Sequence, residues 1–204
     1  MASLQDRDND ILSINGITVD KIASGTTIFT YSEHHRLNEF THWISSALQL
    51  CLAGKGHQVP ALTARALSRT LAIDCSSNGL RAAEGELRPL EQLLEDLLRN
   101  KPGQHREREV GLSRIANLTC DIRHMFGRRL LVTDAGRYGL GPGIMQPGDV
   151  ITIVRGVDVP FILRSADKGR YQFVGAAYVD GIMNGEAVEE YHRNWEREET
   201  FALV

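Results

Sequence analysis

Cysteine is scarce: three in 204 residues, at Cys51, Cys75 and Cys120. The number is odd, and no Cys-x-x-Cys pair or Cys/His cluster is present, so neither a disulfide framework nor a structural zinc is supported. This usage suits a reducing compartment. No apolar run reaches the roughly 18 residues of a membrane span. Residues 1–10 (MASLQDRDND) lack the basic start and apolar stretch of a secretory signal. The chain is therefore expected to be cytoplasmic, without a membrane span. There is no basic surplus either: net charge is −3, which gives no electrostatic case for a nucleic-acid partner. Catalytic signatures are missing as well. The sequence holds no GxSxG, no GxxxxGK[ST], no HExxH and no EF-hand loop. Neither a metal nor another cofactor is expected.

What is present suffices for a core. Hydrophobic residues make up 42% of the chain and charged ones 24%, ordinary values for one globular domain. Residues 1–10 are polar and are expected to be a disordered tail. Residues 11–204 are expected to be one α+β domain, with a helical part over 33–126 and a strand part over 128–186. The strand part reads as a small antiparallel β-barrel or bent sheet. Short apolar runs alternate there with Gly, Pro and Asp punctuation, the pattern of strands joined by tight turns. The expected strands are Leu130–Thr133, Arg137–Leu140, Val150–Arg155, Val159–Arg164 and Tyr171–Val179. Pro160 places its strand at an edge or marks its start. Near the N-terminus, Asn15-Gly16 sits between apolar runs and predicts a hairpin over residues 11–24.

Helical spacing of apolar residues predicts helices over Glu33–Ala53, Ala61–Ile73, Leu87–Arg99 and Val110–Met125, with Phe126 sharing the inner side of the last. Pro60 suits the first turn of the second. Glu186–Glu199 is expected to form a charged C-terminal helix, within a helix or tail over 187–204, with Trp195 clamping that tail to the body.

Several polar side chains are candidates for chemistry. His42 stands beside Trp43 at the edge of the first helix's apolar face, where an imidazole could donate or accept a proton. Arg164 follows Phe161-Ile162-Leu163. It either pairs with Asp149 or presents a donor to a carbonyl or anion. Tyr178 and Met183 bracket Gly181, and Tyr178 offers an apolar ring with a polar tip. The glycine-rich run from Gly136 to Gly143 is followed by Pro142 and a strand rather than a helix, so it reads as a turn and not a phosphate cradle.

One ordered string carries a resemblance: Arg-Arg-Leu-Leu-Val-Thr (128–133), Gly-Leu-Gly-Pro (139–142), Pro-Gly-Asp (147–149), Pro-Phe-Ile-Leu-Arg (160–164), Tyr-x-Phe-Val-Gly-x-x-Tyr-Val (171–179) and Gly-Ile-Met-x-Gly-Glu-Ala (181–187). It resembles the C-terminal region of fungal heterokaryon-incompatibility (HET) proteins, and ILSINGITVDKIAS (11–24) looks like the segment that opens that region. Large family members carry a toxic N-terminal domain, for which this chain is expected to have no room before Met1. Two functions follow from the resemblance. A stand-alone HET-like protein is associated with norbornene-forming intramolecular Diels–Alder cyclisation in the sordarin pathway. That implies a cofactor-free cyclase acting on a small apolar, terpenoid or polyketide-like substrate. It would use a dry pocket and one donor. His42, Arg164 and Tyr178 are then the candidate catalytic groups, and Trp43, Phe161 and Met183 the substrate-binding wall. The alternative is a non-enzymatic interaction or regulatory module of heterokaryon incompatibility or immunity. A closed apolar cavity between the helices and the strands favours the first; a filled core with an exposed apolar patch favours the second.

Overall fold

The computed structural model describes residues 11–30, 36–53, 60–74, 82–83, 85–99, 122–186, 188–189 and 197–204. The strands are β1 (Leu12–Gly25), β2 (Arg128–Thr133), β3 (Tyr138–Pro142), β4 (Val150–Val154), β5 (Phe161–Ser165), β6 (Tyr171–Ala176), β7 (Tyr178–Val179) and β8 (Glu199–Leu203). Three α-helices are found among the described residues: α1 (Arg36–Ala53), α2 (Pro60–Ala72) and α3 (Arg88–Arg99). The order in the sheet is β4-β5-β6-β8-β1-β2-β3-β7, and a further β4–β1 pairing closes β1, β4, β5, β6 and β8 into a ring. Pairing is antiparallel throughout except for β6 with β8, which meet in parallel at Tyr171 and Leu203.

The predicted hairpin over 11–24 is not formed. The chain runs through Asn15-Gly16 as one strand because β1 has three partners. It pairs with β8 over Leu12–Gly16, with β4 over Gly16–Lys21 and with β2 over Ile22–Gly25. Gly16 marks the handover from β8 to β4, and a Cβ there would lie 2.3 Å from the Ile153 carbonyl oxygen. The glycine serves close backbone approach, not a turn. Asn15 joins the ladder too: its Oδ1 accepts a hydrogen bond from Thr200 Oγ1 at 2.9 Å.

The expected strand Tyr171–Val179 is split in two. β6 pairs with β5 and β7 with β3, so the chain crosses from one sheet to the other at Ala177, whose N–H donates to Pro160 O at 3.0 Å. Pro160 precedes β5, which leaves the ladder intact. The helices match their predicted spans closely. Residues 110–121 of the fourth lie outside the described residues; its last four, Ile122–Met125, form a 3-10 turn. Phe126 is 55% exposed instead of facing inward. Gly127 N–H donates to Phe29 O at 2.9 Å, which ties the chain to the residue 26–29 segment and turns it into β2. The C-terminal helix is corrected only at its end. Glu189 N–H donates to Gly185 O as a helix start requires, but residues 190–196, Trp195 included, lie outside the described residues, and Glu199–Leu203 is strand β8. Phe201 is fully buried there and pairs with Ile14. The disordered tail expected over residues 1–10 also lies outside the described residues.

Two large clusters make the core. Trp43, Ile44, Ala47 and Leu48 of α1, Leu67 and Leu71 of α2, and Leu90 and Leu94 of α3 pack on Leu130, Leu140 and Tyr178. The helical layer thus covers one face of β2, β3 and β7. The other face of β2, β3 and β7 packs on the ring strands through Ile22, Leu131, Met145, Ile151, Ile162 and Val179. A smaller cluster around Val150, Leu163 and Phe201 lies on β4, β5 and β8.

Candidate functional site

The six candidate side chains do not meet at one place: Trp43, Tyr178 and Met183 share a cluster, and His42, Phe161 and Arg164 are not part of it. His42 is exposed on α1, and its carbonyl accepts from Ser46 Oγ at 3.2 Å. Trp43 is 4% exposed; its Nε1 donates to Thr27 O at 2.9 Å and its ring lies 5.4 Å from that of Phe29. Tyr178 is buried in the same cluster, and Met183 packs against it, its Sδ accepting from Val179 N–H at 3.5 Å. The Tyr178 hydroxyl reaches Asp180 Oδ1 at 3.5 Å, and Arg69 Nε sits 3.2 Å from Asp74 and 3.8 Å from Asp180. Burial, with the Asp180 and Asp74 charges adding to it, raises the Tyr178 hydroxyl well above the ordinary tyrosine range. Phe161 lies elsewhere, half-buried against Phe173 with centroids 4.7 Å apart. Arg164 forms the ion pair with Asp149: Nε to Oδ1 is 2.8 Å and Nη2 to Oδ2 is 2.9 Å.

Two surface cavities lie among the described residues, and none of the six lines either. One, about 330 Å³, is bounded by Ile17, Ile153, Val154, Val157 and Val188. The other, about 350 Å³, is polar and bounded by Arg65, Arg69, Asp74 and Glu91. Among the described residues no group of three or more His, Cys, Asp or Glu is placed to hold a metal ion. No helix among them is long and apolar enough to cross a membrane.

The most built feature of the surface is the loop over residues 143–149. Its carboxylate, Asp149, is 3% exposed and accepts from Gln146 N–H at 2.7 Å as well as from Arg164. Arg164 Nη2 also donates to Ile144 O at 2.8 Å. From the other side Arg129 Nη1 donates to Met145 O at 2.8 Å while its Nε donates to Thr26 O. Met145 is thereby driven into the cluster around Leu131 and Ile162, 1% exposed, and its neighbour Ile144 is left outside at 66%. Ile28, 45% exposed, and Phe126, 55% exposed, stand on the two segments alongside. The three strips touch at Gly143: a Cβ there would lie 2.7 Å from Gly127 O and 3.0 Å from Ile28 Cδ1, so only glycine lets them close up. Nothing in the sequence reading pointed to this patch. The available signal was an isoleucine inside the turn-forming run Gly-Pro-Gly-Ile-Met-Gln-Pro-Gly (141–148), where an apolar side chain has no strand or helix to bury it.

Residues 109–204, which include β2 to β8, match the Het-6 beta-barrel domain. Heterokaryon incompatibility protein 6, OR allele, of Neurospora crassa is 37% identical over 113 residues, which is 54% of this chain and 15% of that protein. Over residues 109–204 the chain is HET-like. It spans 15% of the length of the curated relative it matches. No solved structure matches it.

The chain also holds a partly buried thiol at the joint between helices and strands. Cys51 of α1 shares a hydrogen bond with Tyr138 of β3, which is bonded in turn to Thr63 of α2. Burial, partly offset by the bond from Tyr138, pushes the Cys51 thiol from 9.0 up to about 12. Burial and the neighbouring thiol push Tyr138 from 10.0 up to about 12. Both groups are neutral in the folded state and ionise more readily once unfolded. Their contribution to stability is therefore complete below about pH 9 and is lost as the pH climbs towards 12. In a Cys75→Ser/Cys120→Ser variant, Cys51 is expected to resist a thiol reagent at pH 8.5 until denaturant is added. Rapid labelling of the native protein would contradict this placement.

Proposed function

We propose that the HET-like chain acts as a recognition module of the heterokaryon-incompatibility type, engaging a partner protein rather than converting a small molecule. The observation that carries this reading is the packing between α1 and the strands. The cyclase reading needs an apolar cavity there. Phe29, Trp43, Leu140 and Tyr178 fill one core cluster in that layer, none of them more than 6% exposed. The three polar candidates are an exposed histidine, an arginine engaged by a buried carboxylate and a tyrosine whose hydroxyl is turned to Asp180; they do not converge, which is a poor set for polarising one carbonyl. The name of the Neurospora relative points the same way, and a well-packed core among the described residues with an apolar patch outside is the arrangement expected of a binding module. A reducing, cytoplasmic setting suits three cysteines with no pairing pattern.

The test is expression of the chain in one of two otherwise compatible fungal strains, scored by survival of their fused cells. The same purified protein is offered linear diene precursors. Altered survival with no acceleration of cycloaddition is the expected result. Acceleration above the uncatalysed rate, with fusion unaffected, would replace this reading with the cyclase.

A further inference from the structure

We propose that Ile28, Phe126 and Ile144 form the docking point for a segment of a partner protein that carries a large apolar side chain flanked by Asp or Glu. This inference rests on the recognition-module reading and adds to it the place and the chemistry of the partner.

The place follows from β2 and its two neighbours. Thr26 N–H donates to Leu130 O and Phe29 N–H to Arg128 O, so the 26–29 segment lies along one side of β2. Arg128 pairs with Pro142 and Arg129 with Gly141 on the other side. The three apolar side chains therefore stand at the same end of three adjacent strips. Ile144 is the most exposed large hydrophobic residue of this loop, yet the loop is held at Ile144 O, Met145 O and Asp149 by two arginines. An apolar side chain presented on a braced loop loses little freedom when it is covered, so more of its burial appears as affinity. Anchors of this kind, central and apolar, dominate binding energy at interfaces.

The chemistry of the occupant follows from charge. Arg128 and Arg129 open β2 beside the patch, both half-buried. Arg128 donates to Ala176 O at 3.3 Å, and Arg129 to Thr26 O and Met145 O. All these acceptors are neutral carbonyls; among the described residues neither guanidinium has a carboxylate partner. Arg164, on β5 against the same loop, differs because Asp149 neutralises it. Among the described residues the patch thus lies beside two uncompensated arginine charges, on a chain whose net charge is −3. Carboxylates flanking an apolar anchor answer those charges with charge-assisted hydrogen bonds. A second copy of the chain fits badly, because a two-fold contact through this patch would set each arginine pair against its own image.

The probe is a phage-displayed library of random twelve-residue peptides, panned on the full chain at low salt. The expected consensus is Leu, Phe, Trp or Tyr within a run of Asp and Glu. A labelled consensus peptide, measured by fluorescence anisotropy, is expected to bind about tenfold more weakly to Ile144→Ser and to Phe126→Ser, and more weakly to the wild type as salt rises. Circular dichroism melts establish that both variants fold. No enrichment, a consensus without acidic residues, or full affinity in both variants would overturn the proposal. A wild-type dimer in sedimentation that Ile144→Ser dissolves would overturn it in favour of a second copy. The fusion assay separates this inference from the reading beneath it. An inert wild type removes the module reading, whereas a wild type and an Ile144→Ser variant of equal effect remove only the docking point.

Discussion

Asp149→Ala is expected to destabilise the protein by about 3 kcal/mol, the low end of the cost of breaking a buried ion pair. The low end applies because the Arg164 side chain keeps 28% exposure and water can solvate part of its charge, while Asp149 keeps only 3%. Two losses combine. Arg164 is left without its bidentate carboxylate, and Gln146 N–H loses its acceptor. In thermal melts of a domain this size the shift should be roughly 6–12 °C. Urea denaturation gives the free energy directly, and Asp149→Asn should fall between the two, since it keeps an acceptor for Gln146 and loses the charge. A second effect separates this pair from an ordinary core contact. The 143–149 loop should loosen before the rest of the chain, so the consensus peptide should bind Asp149→Ala more weakly at temperatures where the fold is intact. An unchanged urea midpoint would mean that the pair does not brace the loop.

Trp43→Ala is the other large change, at about 3–5 kcal/mol. The indole is enclosed between α1 and Phe29, and deleting it opens a cavity under the helical layer where Leu140 and Tyr178 also pack. Trp43→Phe separates the ring from its hydrogen bond. It retains much of the apolar volume but leaves Thr27 O without the 2.9 Å donor, at a cost of about 1–3 kcal/mol. The measurement is the urea midpoint of both variants beside the wild type. Were Trp43 a pocket wall, Trp43→Ala would fold with near-native stability and fail only in turnover; a midpoint within error of wild type would therefore revive the pocket.

How far the sequence could be read depended on what decided each element. α1, α2 and α3 follow from apolar residues at helical spacing, with Pro60 opening α2, because burial of one face was enough to specify them. β4 and β5 follow from β-branched runs between Gly and Pro turns. β1 did not, because Asn15-Gly16 carries a strong local turn preference that three long-range ladders override. β8 was missed for a related reason. Glu-Thr-Phe-Ala-Leu has little strand pattern of its own, and its pairing comes from residues at the far end of the chain. At the candidate site, the Arg164–Asp149 pair was legible as one of two alternatives, since a turn carboxylate and a strand arginine recur in such ladders. The burial of Trp43 against Phe29, the exposure of Phe126 and the clamp on Ile144 were not legible. Each depends on which strips lie side by side, which no local pattern records.

The three-way pairing of β1 bears on how the chain reaches this state. Leu12 pairs with Leu203, so β1 meets β8 only when residues far apart in sequence are brought together. Contacts of such long sequence separation are slow to form, because loop closure comes before any reward. Until β8 docks, Leu12 and Ile14 lie on a bare strand edge, the kind of surface that recruits other chains. A Phe201→Asp variant, which weakens β8, is expected to aggregate during refolding at protein concentrations where the wild type does not.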